Sequence, residues 1–164
     1  MAERRDKVNE AKKILPMVEI PKRDDNYVSK EERYQFQYPI IMKYLKKKVS
    51  GWNVADCLAN MGGKKIAIYA ITEFAELVCE DLKQNDKQVE IVCICDRNYT
   101  KFEGGYCGKE VIGPQEMIER YHKKEMDKIL VCSIFHVNEI INELLGRGVE
   151  LDDVISITTA IYNE

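Results

Sequence analysis

The stretch KKIAIYAITEFAELVCEDL, residues 64–82, decides the fold of this chain. Its first part, residues 66–69, is continuously apolar, as expected for a strand that helices cover on both faces of a sheet. Its second part repeats Phe74, Val78 and Leu82 at helical spacing. The stretch therefore predicts a buried strand, a tight turn and an amphipathic helix. The acidic side chains of this helix are expected on its outer face: Glu73, Glu76, Glu80 and Asp81.

The same two patterns alternate along the rest of the chain. Apolar strand patterns recur at residues 89–95, 128–134 and 154–157, with a shorter one at 110–112, and helical patterns lie between them. This order predicts parallel strands joined by right-handed crossover connections. We therefore expect an α/β fold, with a three-layer Rossmann-like parallel sheet over residues 62–164.

Residues 1–61 are predicted to form a helical N-terminal extension of that domain. Residues 3–15 have one apolar side, which is typical of a short helix. Residues 16–29 contain two prolines and a cluster of charges, which is typical of a linker.

A longer helix is predicted to begin at Ser29, because Ser29 and Glu32 fit a capping box. Pro39 is expected to kink this helix or to divide it, since proline removes a helical hydrogen bond. A shorter helix is predicted at residues 52–61, with Asn53 as its N-cap.

The composition excludes several classes of protein. No window of about 18 apolar residues occurs, so no membrane span is expected. The first residues, MAERRDKVNEAKK, lack the apolar segment of a secretory signal. We therefore expect a cytoplasmic location.

Three of the six cysteines, Cys93, Cys95 and Cys132, lie inside strand patterns. Thiols placed in this way usually behave as small core hydrophobes in a reducing compartment. Cys93 and Cys95 face the same side of their strand and can form a cluster with Cys132. Zinc sites, however, favour Cys-x-x-Cys turns, and this sequence has none. We predict that the thiols pack in the core and that no metal site exists.

The charges are distributed unevenly. Lysine and arginine outnumber acidic residues 15 to 9 in residues 1–65, whereas acidic residues outnumber basic ones 19 to 10 in residues 66–164. This asymmetry can indicate a basic arm for nucleic acid, or a solvated helical extension beside an acidic domain. The basic residues are mixed with acids and form no sustained stripe, which predicts no nucleic-acid partner.

Several segments of the chain together resemble a known family. They are KKIAIYA at residues 64–70, CDRN at 95–98, YCGKEVIGPQEM at 106–117, KILVCSI at 128–134 and LLGRGVELDDVISI at 144–157. From about residue 62 onward, the chain resembles the Rossmann-like domain of bacterial surface-polysaccharide proteins. One variant of this domain is the N-terminal domain of nucleotide-sugar O- and N-acyltransferases, and others occur alone or fused to glycosyltransferases. Residues 42–63 also resemble the segment that precedes the domain in clostridial relatives.

The turn after the first strand departs from the family pattern Tyr-Gly-x-Gly-x-x-Gly, because Ala70, Thr72 and Ala75 replace the glycines. Ala70 is strained if this position needs a positive φ. Thr72 places a branched side chain where a pyrophosphate would lie against the backbone, although its hydroxyl can cap the helix or donate a hydrogen bond. We therefore expect that full NAD(P) binding is lost.

A smaller anion is still compatible with this turn. The N–H groups at a helix N-terminus can hold a lone phosphate, which makes Ala70, Ile71, Thr72 and Glu73 candidate binding residues. Glu73 stabilises the helix dipole but would repel a phosphate.

Two further candidate sites lie at strand ends. Asp96 follows the second strand, where an acid binds the ribose hydroxyls in Rossmann domains, or it simply forms a turn. Arg97 beside it can meet a phosphate or be solvated. His136 follows the fourth strand, at the edge where ligands of open α/β sheets bind. It can contact a ligand or act as a base, or it can cap a helix, and no second titratable group can be assigned to it.

These patterns, with the resemblance, predict a degenerate Rossmann-like nucleotide-binding or partner-binding module in bacterial surface-polysaccharide biosynthesis. It is expected to be non-catalytic, with no catalytic residue and no metal ligand, and its cofactor is left open. The expected partners are a small nucleotide-type ligand and a glycosyltransferase or another protein of the pathway. The candidate binding residues are Ala70, Ile71, Thr72, Glu73, Asp96, Arg97 and His136.

Two alternatives remain open. The first is an enzyme that acts on a nucleotide-sugar or uses a nucleotide cofactor, with Asp96 and His136 in its site. The second is a structural oligomerisation module, because exposed apolar faces usually find a partner. In that case a second copy would pack on one helix face formed by Tyr34, Tyr38, Ile41, Tyr44 and Leu45.

Overall fold

The structure is a computed structural model that describes residues 29–85 and 88–163. The helix predicted at residues 3–15 and nearly all of the linker lie outside these residues. The strands are β1 Lys65–Tyr69, β2 Glu90–Cys95, β3 Val111–Ile112, β4 Lys128–Val131 and β5 Val154–Ser156. They form one parallel sheet in the order β3-β2-β1-β4-β5. The predicted α/β fold with a parallel sheet is confirmed.

Helices cover both faces of this sheet. The α-helices are α1 Lys30–Val49, α2 Val54–Asn60, α3 Glu73–Gln84, α4 Pro114–His122, α5 Val137–Gly146 and α6 Ile157–Tyr162, with 3₁₀ turns at Tyr99–Phe102 and Leu151–Asp153. Within the described part of the chain, no helix has the length and apolarity needed to cross a bilayer.

Alternate residues of β1 serve two separate cores. In β1, Ile66 and Ile68 pack with α1, α2, α3 and α6, whereas Ala67 and Tyr69 pack with α4 and α5. This follows from the two-residue period of a strand. Because both faces are buried, the strands show no alternation of apolar and polar residues in the sequence.

The cysteines follow the same division. Cys93 and Cys95 face the core under α4 and α5, while Cys132 belongs to the core on the opposite face. All three thiols are fully buried, and no group of metal-ligating side chains occurs in the described residues. The three-thiol cluster therefore does not form, because β2 directs Cys93 and Cys95 to one layer and Cys132, after β4, lies in the other.

The predicted helix start at Ser29 is confirmed. The Glu32 N–H donates to Ser29 Oγ over 3.1 Å, and the Ser29 N–H donates to Glu32 Oε2 over 3.0 Å. Of the two effects predicted for Pro39, division of the helix is wrong, because α1 continues through it, and a kink stays a prediction. Pro39 and Gln35 are both exposed, so water can hydrate the Gln35 carbonyl that loses its helical partner.

Two other helix starts depend on side-chain caps. The Asp56 N–H donates to Asn53 Oδ1 over 2.7 Å, which confirms Asn53 as the N-cap of α2. The last strand is shorter than predicted, because Ser156 ends it and caps α6: the Thr159 N–H donates to Ser156 Oγ over 2.9 Å.

The expected position of Asp81 on the outer face of α3 is wrong. This residue is only 3% exposed, and its carboxylate forms a 2.6 Å ion pair with Lys48 at the end of α1. It also accepts hydrogen bonds from the Tyr44 hydroxyl at 3.3 Å and from the Val54 N–H at 3.0 Å. One carboxylate thus joins α1, the start of α2 and α3.

The helix α1 packs against α6 and belongs to the same core as α3. Ile40 and Tyr44 are buried against the sheet-covering helices, and Lys47 donates to the Asn163 carbonyl after α6. Tyr44 was predicted to lie on the helix face that packs against a second copy of the chain. This is wrong, because its ring is buried in its own subunit. The division of the chain at residue 62 stays a prediction, while residues 30–61 share one core with β1.

We expect Asp81→Ala to lower the free energy of unfolding by about 3–5 kcal/mol, because it leaves a lysine, a hydroxyl and a backbone N–H without their buried partner. The neighbouring Glu80→Ala is a matched control, since Glu80 forms an exposed 2.7 Å pair with Lys83. It should change stability by less than about 1 kcal/mol. Urea denaturation of both variants measures the difference, and equal losses would contradict this account of Asp81.

Candidate ligand-binding site

The strand order creates a crevice at the carboxyl edge of the sheet. β1 and β4 are adjacent and parallel, yet the chain leaves β1 toward α3 on one face and leaves β4 toward α5 on the other. Open α/β sheets bind ligands at this kind of topological switch point. The turn after β1 and the segment after β4 therefore line the candidate site.

The turn after β1 begins with a strained alanine. Ala70 has a φ of 79°, in the left-handed region that L-residues other than glycine rarely adopt. Its N–H donates to the Cys95 carbonyl over 2.9 Å, and the Ile71 N–H donates to Asp96 Oδ2 over 2.9 Å. These two bonds hold the turn against the end of β2 and maintain a bend for which dinucleotide-binding turns use glycine.

Thr72 occupies the second glycine position and uses its hydroxyl twice. Its Oγ accepts the Ala75 N–H over 3.3 Å as the N-cap of α3, and it donates to the Cys132 carbonyl over 2.9 Å. Both roles considered from the sequence are thus present. The threonine fastens the turn to the end of β4 and fills the space where a pyrophosphate would approach the backbone.

Asp96 is placed as a turn residue that also supports the site. Its Oδ1 accepts the Asn98 N–H over 2.7 Å, while its Oδ2 accepts the Ile71 N–H. A carboxylate has further acceptor positions, so the ribose contact predicted for Asp96 stays a prediction. Its observed role is to hold the turn that carries Ile71.

Arg97 is directed toward α5. Its Nη1 donates to Glu139 and its Nη2 donates to Glu143, each over 2.7 Å. These hydrogen bonds raise the pKa of Arg97 above its ordinary value. An anion that used this guanidinium would compete with two carboxylates, and the predicted phosphate contact stays a prediction.

His136 lies at the start of α5 with an exposed imidazole. Its Nδ1 is 3.4 Å from Glu139 Oε2, and its backbone N–H donates to Ser133 Oγ over 3.1 Å. Arg97, followed by the weaker effect of His136, lowers the pKa of Glu139. Glu139 therefore links Arg97 and His136, two residues that are 39 positions apart in the sequence.

Tyr69 has a buried hydroxyl at the end of β1 that finds no hydrogen-bond partner among the described residues. Burial raises the pKa of Tyr69 to about 12, so the phenol is protonated at neutral pH. The ring packs in the core under α4 and α5, on the sheet face opposite to the Thr72 side. It does not belong to the crevice.

The crevice is a cleft of about 540 Å³. Its walls come from three parts of the chain: the start of α3, the segment after β4 and the first half of α1. Of the predicted residues, Thr72, Glu73 and His136 line it. The other lining residues are Lys30, Arg33, Tyr34, Gln37, Phe74, Cys132, Ser133, Ile134 and Phe135.

The wall contributed by α1 was missed by sequence reasoning. The Arg33 guanidinium carbon lies 5.6 Å from the centroid of the Phe135 ring, and Phe36 and Phe135 have centroids 5.5 Å apart. The capping box gives the start of this helix, but no local pattern tells where the helix docks. The unusual number of aromatic side chains in residues 34–44 was the only signal available.

The cleft combines positive charge with unsatisfied N–H groups. Lys30 and Arg33 supply two cations, against the single carboxylate of Glu73. The N–H groups of Glu73 and Phe74 open α3, where the helix provides no carbonyl partner and its dipole favours an anion. Burial raises the pKa of the Cys132 thiol, so this cysteine stays protonated and is a poor nucleophile.

Comparison with known proteins gives no match, whether with protein-family models, with curated proteins or with solved structures. The resemblance described from the sequence therefore stays a prediction.

We expect Ala70→Gly to raise the free energy of unfolding by about 1 kcal/mol, because a left-handed conformation is unfavourable for alanine by about that amount or more. Ala75→Gly, five residues along in the first turn of α3, is the matched control. It should destabilise the protein by about 1 kcal/mol, since glycine there gains no relief of strain. Thermal denaturation of the two variants should give shifts of opposite sign, and a destabilised Ala70→Gly variant would contradict the strain.

Proposed function

We propose that this chain is a non-catalytic Rossmann-like module that binds a small nucleotide-type ligand in the cleft between β1, β4 and α1. One observation carries the proposal: α1 brings Lys30 and Arg33 into the same cleft as the first N–H groups of α3. Cations and helix N-termini are the two features that proteins most often use to hold a phosphate.

The turn favours a single phosphate over a pyrophosphate. Thr72 fills the approach to the backbone, and its hydroxyl is already engaged with Ala75 and Cys132. The N–H groups of Glu73 and Phe74 remain for a terminal phosphate, which Arg33 and Lys30 would meet from the other side. The lost glycines are thus compensated by cations from a different element.

The rest of the cleft suits a flat organic group. Tyr34 and Phe135 give it aromatic walls, and Gln37 offers both a hydrogen-bond donor and an acceptor. A volume of about 540 Å³ falls inside the usual range of small-molecule sites. A nucleoside base or a similar ring between these side chains would bury apolar area while its polar edge meets the amide.

The contacts in the cleft favour binding over catalysis. A nucleophile needs a base within hydrogen-bond reach, and the Ser133 hydroxyl instead accepts the backbone N–H of His136. Cys132 is protonated, and the Asp96 carboxylate holds two backbone N–H groups. The alternative, an enzyme acting on a nucleotide-sugar with Asp96 and His136 in its site, is the weaker proposal, because Asp96 is not a lining residue of the cleft.

The biological setting in this proposal rests on the resemblance of residues 62–164 alone. That resemblance supports a role in bacterial surface-polysaccharide biosynthesis, beside a glycosyltransferase or another protein of the pathway. Co-purification of the chain with a glycosyltransferase from its own cells would support this setting, and recovery of the chain alone would speak against it.

The ligand proposal is tested by thermal shift against NAD, NADP, UDP-sugars, CMP, ATP, coenzyme A, S-adenosylmethionine and inorganic phosphate. A ligand at about 100 times its dissociation constant adds about 2.7 kcal/mol of stability. Arg33→Gln should weaken the best ligand about tenfold, since it removes one charge-assisted hydrogen bond.

Lys43→Gln is the matched control, because Lys43 is an exposed cation on the same helix whose Nζ lies 5.8 Å from the Tyr162 ring centroid, and it is not a lining residue of the cleft. The affinity of the Lys43→Gln variant for the best ligand should equal that of the wild type. If no compound shifts the melting temperature, the proposal is contradicted. Equal losses of ligand affinity in Arg33→Gln and Lys43→Gln would contradict it as well. A preference for NAD over mononucleotides would contradict the single-phosphate argument.

A further inference from the structure

Two thiols from distant parts of the chain meet beside α3. Cys79 lies in the middle of α3 and is fully buried, whereas Cys107 lies in the segment that leads to β3 and is half-buried. Both side chains pack in the core that contains Ile66 and Ile68. The thiol of Cys107 lies within hydrogen-bond reach of the thiol of Cys79. The fold thus brings together two cysteines that no local spacing pattern connects.

The backbone holds Cys107 at the tip of a tight hairpin. The Tyr106 N–H donates to the Lys109 carbonyl, and the Lys109 N–H donates to the Tyr106 carbonyl, each over 2.9 Å. Between them, Cys107 has a φ of 51° and Gly108 a φ of 73°. Positive φ at both central residues is typical of a type I′ turn, whose first central position usually holds Asn, Asp or Gly. The turn therefore keeps the Cys107 thiol at a fixed point beside Cys79.

The accessibility of Cys107 sets it apart from the other cysteines. All six cysteines lie in the described residues, and the other five are buried. An oxidant from solution therefore reaches the Cys107 sulfur first. Redox-sensitive cysteines are typically accessible to solvent and lie next to a second thiol that can form a disulfide with them.

Cys79 has the properties of that second thiol. Burial, followed by the hydrogen bond to Cys107, raises the pKa of Cys79 to about 12, so this thiol is protonated at neutral pH. It has no access to solvent, which leaves the sulfur of Cys107 as the partner within its reach. Cys79 can therefore react only after Cys107 has been oxidised.

We propose that Cys79 and Cys107 form a reversible disulfide when the protein meets hydrogen peroxide. The Cys107 sulfur attacks the O–O bond, becomes a sulfenic acid and releases one water. The Cys79 sulfur then attacks the sulfenic sulfur, the S–O bond breaks, and the hydroxyl leaves with the Cys79 proton as a second water. The two thiols thus lose two electrons and two protons to one peroxide. This site is independent of the proposed ligand.

The experiment is peroxide treatment of the reduced, native full chain, followed by alkylation in denaturant, digestion and mass spectrometry. The wild type should lose two of its six alkylatable thiols, and the linked peptides should contain Cys79 and Cys107. Dithiothreitol should restore all six. The Cys107→Ser variant should keep every thiol that it has. Cys57→Ala is the matched control, since Cys57 is the next most accessible cysteine at 8% exposure, and it should form the same disulfide at the wild-type rate.

Cys79→Ala separates the two steps of the reaction. Without the second thiol, the sulfenic acid on Cys107 should accumulate and react with dimedone, which labels sulfenic acids. Circular dichroism melts show whether each variant is folded, and Cys107→Ser keeps the test decisive if Cys79→Ala is not.

Three results would overturn the proposal. The first is a native wild type that keeps all six thiols after peroxide treatment. The second is a disulfide between any other pair of cysteines, including one that joins two chains. The third is oxidation of Cys107 to a sulfinic acid while Cys79 remains a free thiol.

Discussion

The buried carboxylate of Asp81 is the interaction on which the arrangement of the N-terminal helices depends. A charge that is removed from water destabilises the fold by several kcal/mol unless it is paired and fully hydrogen-bonded. Here Lys48 of α1, the hydroxyl of Tyr44 and the first N–H of α2 meet that need together. Because these three partners belong to residues 44–54, the carboxylate ties the end of α1 and the start of α2 to α3. This attachment brings the first half of α1 to the carboxyl edge of the sheet, where it becomes a wall of the cleft.

The turn after β1 holds its bend without glycine, and the proposed phosphate site would depend on groups outside that turn. Ala70 forms the bend in a strained left-handed conformation. Thr72 blocks access to the backbone, while its hydroxyl caps α3 and donates a hydrogen bond to the carbonyl after β4. Asp96 keeps its position at the end of β2 but supports the turn through Ile71. The positive charge that would balance a phosphate lies instead on α1. In this account, the extension and the sheet form a single binding unit.

Structural features that depend on a few neighbouring residues could be predicted from the sequence. The capping box at Ser29, the N-cap at Asn53 and the parallel strands follow from local spacing and composition. The exposure of Asp81 was predicted wrongly because the helical period shows only which side of α3 is polar. It does not show that α1 covers Asp81 on that side. The contacts of Arg97 depend on Glu139 and Glu143, more than 40 residues later, and no local pattern encodes them. Of the predicted binding residues, Thr72, Glu73 and His136 line the candidate cleft, whereas its wall from α1 was not predicted.

Hydrogen exchange of the native protein tests the central claim most directly, namely that α1 is part of the folded domain and not an appendage to it. The amides of Ile40 and Tyr44 in α1 are to be compared with those of Ile66 and Ile68 in β1. If α1 unfolds only with the core, the two sets will have the same opening free energy, close to the global stability. Exchange of the α1 amides at the rate of an unstructured peptide, while the β1 amides stay protected, would contradict the account.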